Sequence, residues 1–156
     1  MGKSNELEVV IPKPFLVDLK CVADDRGYLI PLTNDIPYDI KKEIKRTYIV
    51  GNFGEGVIRG FHAHEKEIKI FYIVKGSAKF IAIDPSAPEN KYVFSLCERS
   101  NKLLVIPAKL ANGWMSLQDG TILVALSTST FEESAKDDKR YDPFEWGTEI
   151  WDIKAR

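Results

Sequence analysis

Both histidines of this 156-residue chain lie in one stretch, Gly60-Phe61-His62-Ala63-His64-Glu65-Lys66-Glu67-Ile68-Lys69, and Gly76 follows seven residues after Lys69. Side chains two residues apart in a strand point to the same face, so we expect His62 and His64 to project together. Lys69 opens the next apolar run, where an adjacent strand would bring its ammonium alongside the two imidazoles. The stretch therefore predicts a site built on two neighbouring strands.

The spacing resembles the first metal motif of the cupin barrels, G-x5-H-x-H-x3-4-E-x6-G, with one change. Lys69 stands at the position of the glutamate ligand, where a cation repels a divalent metal. The second cupin motif, P-x-G-x2-H-x3-N, resembles the run from Pro107 to Asn112, but Asn112 replaces its histidine. We therefore expect no metal or other cofactor. Acid–base chemistry on a carbonyl compound is expected instead, with the Lys69 ammonium stabilising a developing oxyanion.

The length of the chain fits a single domain spanning residues 1–156. Its 22 basic and 23 acidic residues leave a net charge of −1, which argues against broad nucleic-acid binding. Cys21 and Cys97 form no C-x-x-C pattern, which suits a reducing compartment. No stretch approaches the roughly 18 apolar residues of a membrane span. We expect a cytoplasmic protein with neither nucleic-acid nor membrane partners.

Short apolar runs separated by turn residues fill the chain from Thr47 onward. They are rich in Ile, Val, Phe and Tyr and are bounded by Gly, Pro, Asn or Asp, as strands commonly are. The runs are Thr47–Val50, Val57–Phe61, Lys69–Val74, Ser77–Ile83, Tyr92–Cys97, Leu103–Ile106, Trp114–Leu117 and Ile122–Leu126. Eight short strands at this spacing predict an all-β antiparallel sandwich or jelly-roll barrel.

The parts that flank and join these runs carry further predictions. Residues 1–14 are expected to form an N-terminal arm with a strand at Val9–Ile11. The aromatic residues 141–156 are expected to pack on the barrel or on a partner subunit. Lys75-Gly76 and Asp119-Gly120 have the composition of tight hairpin turns.

Several motifs occur in a fixed order along roughly residues 14–152. They are Asp25-Arg26-Gly27-Tyr28, Arg59-Gly60-Phe61-His62, Lys69, Ile106-Pro107, Ala111-Asn112-Gly113-Trp114, Tyr141-x-Pro143 and Glu149-Ile150-Trp151. In this combination the chain resembles the dTDP-4-dehydrorhamnose 3,5-epimerases. Arg59 to His64, preceded by Lys45-Arg46-Thr47-Tyr48, is closer still to the sister family of dTDP-4-keto-6-deoxyglucose 3,4-ketoisomerases. The resemblance implies a cupin jelly roll, a homodimer and a nucleotide-linked 4-keto-6-deoxysugar as substrate, without metal.

The chemistry of such a sugar explains which side chains are needed. A keto group acidifies the neighbouring C–H bonds, so enolisation requires a base, a cation at the oxygen and an acid. By the resemblance, His62 is the base and Lys69 stabilises the enolate. His64 and Tyr48 are the two candidates for the acid. The implied substrate contacts are Arg59 and Arg26, which would hold the pyrophosphate, and two further substrate-binding residues, Asn112 and Tyr141.

Three departures from the epimerases bear on the outcome of the reaction. Their catalytic tyrosine falls at Ala125 or a neighbour, and one of their histidines is replaced by Asn112. The aspartate that partners their catalytic histidine would lie beyond the end of this chain, so we expect no residue to orient His62. These departures favour a single proton relocation over a double epimerisation.

Four functions follow from these observations, in decreasing order of support. The first is an isomerase that epimerises an NDP-4-keto-6-deoxyhexose at C3 and/or C5. The second is a 3,4-ketoisomerase acting on the same kind of sugar, which the second histidine favours. The third is a non-catalytic cupin that binds a sugar nucleotide, and the fourth is a metal cupin.

Overall fold

The computed structural model describes residues 11–156 as two facing five-stranded antiparallel sheets with a separate two-stranded hairpin. The strands are β1 Phe15–Asp18, β2 Val22–Asp24, β3 Gly27–Leu29, β4 Arg46–Asn52, β5 Ile58–Ala63, β6 Lys69–Lys75, β7 Ser77–Ile83, β8 Lys91–Cys97, β9 Lys102–Ile106, β10 Ala111–Ser116, β11 Thr121–Ser127 and β12 Lys139–Arg140. The short helices are α1 Tyr38–Lys41, α2 Phe131–Lys136 and a 3-10 turn at Glu149–Trp151. All eight predicted strands are present as β4 to β11, and the all-β jelly roll is confirmed. The strand predicted at Val9–Ile11 lies outside the described residues apart from Ile11.

The two large sheets are named here sheet I, with the order β1-β9-β6-β11-β4, and sheet II, with the order β12-β5-β10-β7-β8. The predicted hairpins at Lys75-Gly76 and Asp119-Gly120 are wrong, because β6 and β11 belong to sheet I whereas β7 and β10 belong to sheet II. Both turns carry the chain from one sheet to the other. Gly76 has φ +85°, and a Cβ there would lie 2.5 Å from Thr121 Oγ1, so the two crossings pack side by side. The local turn chemistry is that of a hairpin, but packing of apolar strand faces decides which strands pair.

Apolar side chains form three layers. The layer between the sheets includes Phe71 and Leu123 from sheet I and Phe80 and Trp114 from sheet II. The outer face of sheet II is covered by the C-terminal segment, where the Trp146 and Trp151 rings pack against Phe61, and the outer face of sheet I has its own buried cluster. Full burial of one large apolar side chain contributes roughly 1.5–3 kcal/mol. Within residues 11–156, no helix has the length and apolarity needed to cross a bilayer.

Candidate active site

Sheet I presents two inward rows of side chains at one end of the barrel. Ser127 of β11 lies opposite Lys69 of β6 on one side and opposite Arg46 of β4 on the other, which makes the first row. The second row contains Ala125 with Phe71 and Tyr48 as its neighbours. The rows face inward because alternate residues of a strand share a face and the second row packs into the layer between the sheets.

Sheet II brings His62 and Arg59 to the same inward surface by means of an irregularity. His62 pairs with Asn112 and Arg59 pairs with Trp114. Asn112 and Trp114 are two residues apart and share a face, whereas His62 and Arg59 are three residues apart and would ordinarily face opposite sides of the sheet. A β-bulge lies between them, at Gly60, whose φ is +154°. A Cβ on Gly60 would lie 2.7 Å from the Gly113 Cα, so both strands need glycine at this crossing.

The central contact of the site joins His62 and Asp138. His62 Nδ1 lies 3.0 Å from Asp138 Oδ1, and Arg140 Nε donates to Asp138 Oδ2 at 2.8 Å. Burial works against the charged form of Asp138, but the hydrogen bonds from Arg140 and His62 outweigh it and hold the pKa of the carboxyl below its usual range. A carboxylate only accepts hydrogen bonds, so Nδ1 carries the proton and Nε2 of neutral His62 is left basic.

Asp138 overturns one expectation from the sequence. We expected no residue of this chain to orient His62, because the family's aspartate would lie beyond its end. Asp138 instead follows α2 and immediately precedes β12, which pairs with β5 so that Arg140 lies opposite His62. An aspartate from a different place in the chain therefore stands beside the histidine.

His64 lies deeper than His62 and contacts the same carboxylate. Its Nε2 lies 3.4 Å from Asp138 Oδ1, 3.1 Å from Glu67 Oε2 and 3.3 Å from Ser134 Oγ. Burial, and then the positive charge of Lys69, lower the pKa of His64. The expected juxtaposition of the two histidines is therefore present. Only 3% of the His64 side chain is exposed, against 35% for His62, so the two imidazoles have unequal access to a ligand.

Lys69 is a partly buried ammonium that no other side chain of residues 11–156 engages. It makes no hydrogen bond or ion pair within residues 11–156, although Glu67 and Asp138 lie close enough to act on its charge. Burial lowers the pKa of Lys69 and Arg46 lowers it further, whereas the two carboxylates raise it. A cation with free N–H donors at the mouth of the barrel is suited to binding a developing oxyanion.

Tyr48 stands on sheet I one strand from Ala125, where the sequence lacks the epimerases' tyrosine. Its Cα partner across the ladder is Ala125 itself, and the Arg46 guanidinium lies 4.9 Å from the centre of its ring. Burial, and then the negative charge of Glu67, raise the pKa of Tyr48. The phenol therefore keeps its proton at neutral pH and can donate it.

Two of the four predicted substrate-binding residues lie on the inward surface. Arg59 donates from Nε to Asn52 Oδ1 at 2.7 Å and from Nη2 to the Gly51 carbonyl at 3.2 Å. Among residues 11–156, these bonds fix the guanidinium and leave Nη1 without a partner. Asn112 donates to the His62 carbonyl at 3.1 Å and so holds the backbone at His62.

The other two predicted contacts lie elsewhere in the chain. Tyr141 packs on the outer face of sheet II against Trp146 and, with His64 and Lys139, lines a cavity of about 420 Å³. Arg26 lies at the tip of the β2–β3 hairpin, is largely exposed and pairs with Asp24. The fold of one chain therefore does not bring Arg26 to His62.

The structure also reveals residues that were missed in the sequence. Asp138 and Glu67 bind the histidines, and Arg46 and Ser127 complete the inward row. One signal was available: Thr130 and Glu133 form a capping box, which marks the start of the helix leading to Asp138. The burial of Glu67 had no such signal, because the charged run Glu65-Lys66-Glu67 suggests a solvated turn.

No group of three or more His, Cys, Asp or Glu side chains in the described part of the chain has the arrangement of a metal site. The expectation of a metal-free site rests on the chemistry of Lys69 and Asn112, which supply an ammonium and an amide where a cupin metal needs anionic or imidazole ligands. Metal content stays a prediction.

Known proteins resemble this chain in sequence and fold. The Bacillus subtilis (strain 168) spore coat polysaccharide biosynthesis protein SpsL is 25% identical over 147 residues, which cover 82% of this chain and 91% of SpsL. The 3,4-ketoisomerase QdtA from Thermoanaerobacterium thermosaccharolyticum, solved in complex with TDP, is 25% identical, with a TM-score of 0.68 over 85% of this chain and 90% of QdtA. The dTDP-4-dehydrorhamnose 3,5-epimerase from Bacillus anthracis shares the fold, with 18% identity and a TM-score of 0.70 over 90% of this chain and 83% of the epimerase.

The resemblance drawn from the motifs is confirmed at the level of the family. The sequence profile of FdtA, described as WxcM-like, C-terminal, matches residues 13–145, which include both histidines, Lys69 and Asp138. The chain belongs to the FdtA (WxcM-like, C-terminal) family.

Proposed function

We propose that this protein is an isomerase that enolises a nucleotide-linked 4-keto-6-deoxyhexose, with His62 as the base and Lys69 as the stabiliser of the enolate. The observation that carries the proposal is the His62–Asp138 contact, which leaves Nε2 of the more exposed histidine basic. Relatives support the substrate class, because a mutant of the QdtA ketoisomerase has been solved with TDP-4-keto-6-deoxyglucose. The QdtA chain in that complex is 25% identical to this chain, and the match covers 82% of this chain.

The first proposed step is removal of a proton by His62. His62 Nε2 takes a proton from the carbon next to the keto group, and the C–H electrons move to the carbonyl oxygen. The Lys69 ammonium donates a hydrogen bond to that oxygen, where negative charge develops. Asp138 keeps the imidazole in the correct tautomer and stabilises the imidazolium that forms.

We favour 3,4-ketoisomerisation as the outcome. The proton removed from C3 returns to C4, the old carbonyl carbon, while a proton moves from the C3 hydroxyl to the C4 oxygen. One base on one face of the sugar can serve both carbons, which fits a site with a single accessible histidine. The ketoisomerases QdtA and WlaRB are 24–26% identical to this chain, whereas the epimerases compared are 18% identical.

Epimerisation at C3 and/or C5 is the second candidate, and Tyr48 is the observation that favours it. Inversion requires an acid on the face of the sugar opposite the base. Tyr48 projects from sheet I and His62 from sheet II, so a sugar between the sheets would have one on each side. The raised pKa of Tyr48 keeps the phenol protonated for this purpose.

A homodimer and a role in cell-surface polysaccharide synthesis complete the proposal. Arg59 would hold the pyrophosphate, and the exposed hairpin that carries Arg26 would contribute it to the site of the partner subunit. Tyr141 would contact the nucleotide from the neighbouring cavity. We place the protein in the cytoplasm, which suits its two unpaired cysteines, and the polysaccharide role follows the name of SpsL.

Proton NMR of dTDP-4-keto-6-deoxyglucose in D2O tests the function. We expect loss of the C3 proton signal and appearance of a 3-keto product with the wild type, and neither with His62→Ala. Inverted coupling constants with the keto group still at C4 would identify an epimerase. Absence of exchange with the thymine, uracil, guanine and cytosine derivatives, despite binding that survives His62→Ala, would identify a non-catalytic binding protein instead.

A further inference from the structure

Glu67 is a buried carboxylate to which the proposed reaction assigns no role. Its side chain has no exposed surface, and its two oxygens are fully engaged. Oε1 accepts from Arg46 Nη2 at 3.1 Å and from Ser127 Oγ, while Oε2 accepts from Ser134 Oγ at 2.8 Å and lies 3.1 Å from His64 Nε2. Four partners match the roughly four lone-pair positions of a carboxylate.

Because all the acceptor positions of the Glu67 carboxylate are occupied, it cannot also bind Lys69, which lies two residues away at the start of β6. Within residues 11–156 no ion pair joins Glu67 and Lys69, even though their charges interact. A carboxylate whose lone pairs are filled attracts a nearby ammonium through its field but offers it no acceptor. The N–H groups of Lys69 consequently remain available to a ligand.

We propose that Glu67 is a positioning residue whose saturated carboxylate holds Arg46 and His64 in place and supplies the buried counter-charge that keeps Lys69 an unpaired ammonium. The part that concerns the enolate rests on the proposed function, because Lys69 needs free donors only if it binds an oxyanion. The part that concerns the charge of Lys69 stands on the geometry of the free protein.

The other charged groups around Lys69 make this counter-charge necessary. Arg46 stands two strands away in the same inward row and repels it, and burial also disfavours its charged form. Asp138 attracts it, but that carboxylate already binds His62 and Arg140. Without Glu67, the inward row of Arg46, Ser127 and Lys69 would hold two cations, and no carboxylate would bind to that row.

The test replaces Glu67 with Gln, which keeps the shape and removes the charge, and follows the titration of Lys69 in the free protein. The probe is the ¹³Cε resonance of lysine in ¹³C-labelled protein, assigned with Lys69→Met. We expect the midpoint for Lys69 to fall by about one pH unit or more in the Glu67→Gln variant. In Ser134→Ala, the matched control, the carboxylate charge is retained and the midpoint should stay within about 0.3 units of the wild type.

An unchanged midpoint in Glu67→Gln, with a native circular dichroism spectrum, would overturn the inference. If Glu67→Gln folds poorly, Glu67→Gln/Lys69→Met should recover thermal stability, because the uncompensated cation is gone. Failure of the double variant to recover would also count against the inference. A shifted Lys69 midpoint in a protein that enolises no sugar nucleotide would support the counter-charge and refute the proposed function, so the two failures are distinguishable.

Discussion

Replacement of Asp138 by Asn tests the catalytic geometry most sharply, because the structure predicts how the new amide orients. Arg140 Nε donates to Oδ2 of Asp138 at 2.8 Å, so the amide should turn its oxygen towards Arg140. Its NH2 group then faces His62 Nδ1 and donates to it. That bond forces the proton of neutral His62 onto Nε2, the atom that must act as base.

The expected loss is that of general base catalysis, a fall in kcat of about 10²–10⁴-fold with a much smaller change in KM. Steady-state assays of sugar isomerisation by NMR measure both constants. Asp137→Asn is the matched control, because Asp137 accepts from the Lys66 amide rather than from a histidine, and it should retain kcat within about threefold.

A double variant that also lacks Arg140 tests the predicted orientation of the amide. In Asp138→Asn/Arg140→Ala the amide is free to present its oxygen to His62, so part of the lost activity should return. A wild-type kcat in Asp138→Asn would refute the assignment of Asp138 as the residue that sets the His62 tautomer. Equal losses in the single and double variants would refute the orientation of the amide.

Four further predictions follow from the site. Lys69→Met should lower kcat by about 10²–10³-fold and raise the thermal midpoint at neutral pH, since the lowered pKa of Lys69 means that its protonation costs stability. Lys69 loses its proton more readily in the folded protein than in the unfolded chain, because its pKa is lowered by folding. The Tm of the wild type should therefore rise as pH increases through this lowered pKa, and the rise should be absent from Lys69→Met. Tyr48→Phe should leave keto migration within about threefold but abolish any inverted product, as NMR of the products will show. Arg59→Lys should raise KM about tenfold with little effect on kcat, because a fixed guanidinium fork is lost. Gly60→Ala should destabilise the fold by about 2 kcal/mol or more in denaturant titrations, because its Cβ meets the Gly113 backbone; a smaller loss would contradict the close approach.

The strands were predictable because each is a short apolar run bounded by turn residues, as β4 to β11 show. Which strands pair was less predictable. Gly76 and Gly120 have the positive φ of hairpin turns, yet the chain crosses between sheets at both places. Local chemistry fixes the sharpness of a turn, whereas burial of both faces of β6 against distant strands fixes its partners.

The site divides in the same way. His62, His64 and Lys69 could be predicted because they are close in sequence and their spacing carries the motif. Asp138 could not, since it approaches His62 from 76 residues away through the pairing of β12 with β5. Glu67 was missed for a different reason: it lies within the motif, but its burial depends on donors from β4, β11 and α2.

The central claim is that His62, the more exposed histidine, removes the proton and that the buried His64 does not. Deuterium incorporation from D2O, at C3 of recovered dTDP-4-keto-6-deoxyglucose or at C4 of the 3-keto product, tests it most directly when His62→Asn and His64→Asn are compared. We predict that His62→Asn abolishes incorporation, whereas His64→Asn slows it but leaves it detectable. Undiminished exchange in His62→Asn, together with its loss in His64→Asn, would contradict the account and make the buried histidine the base.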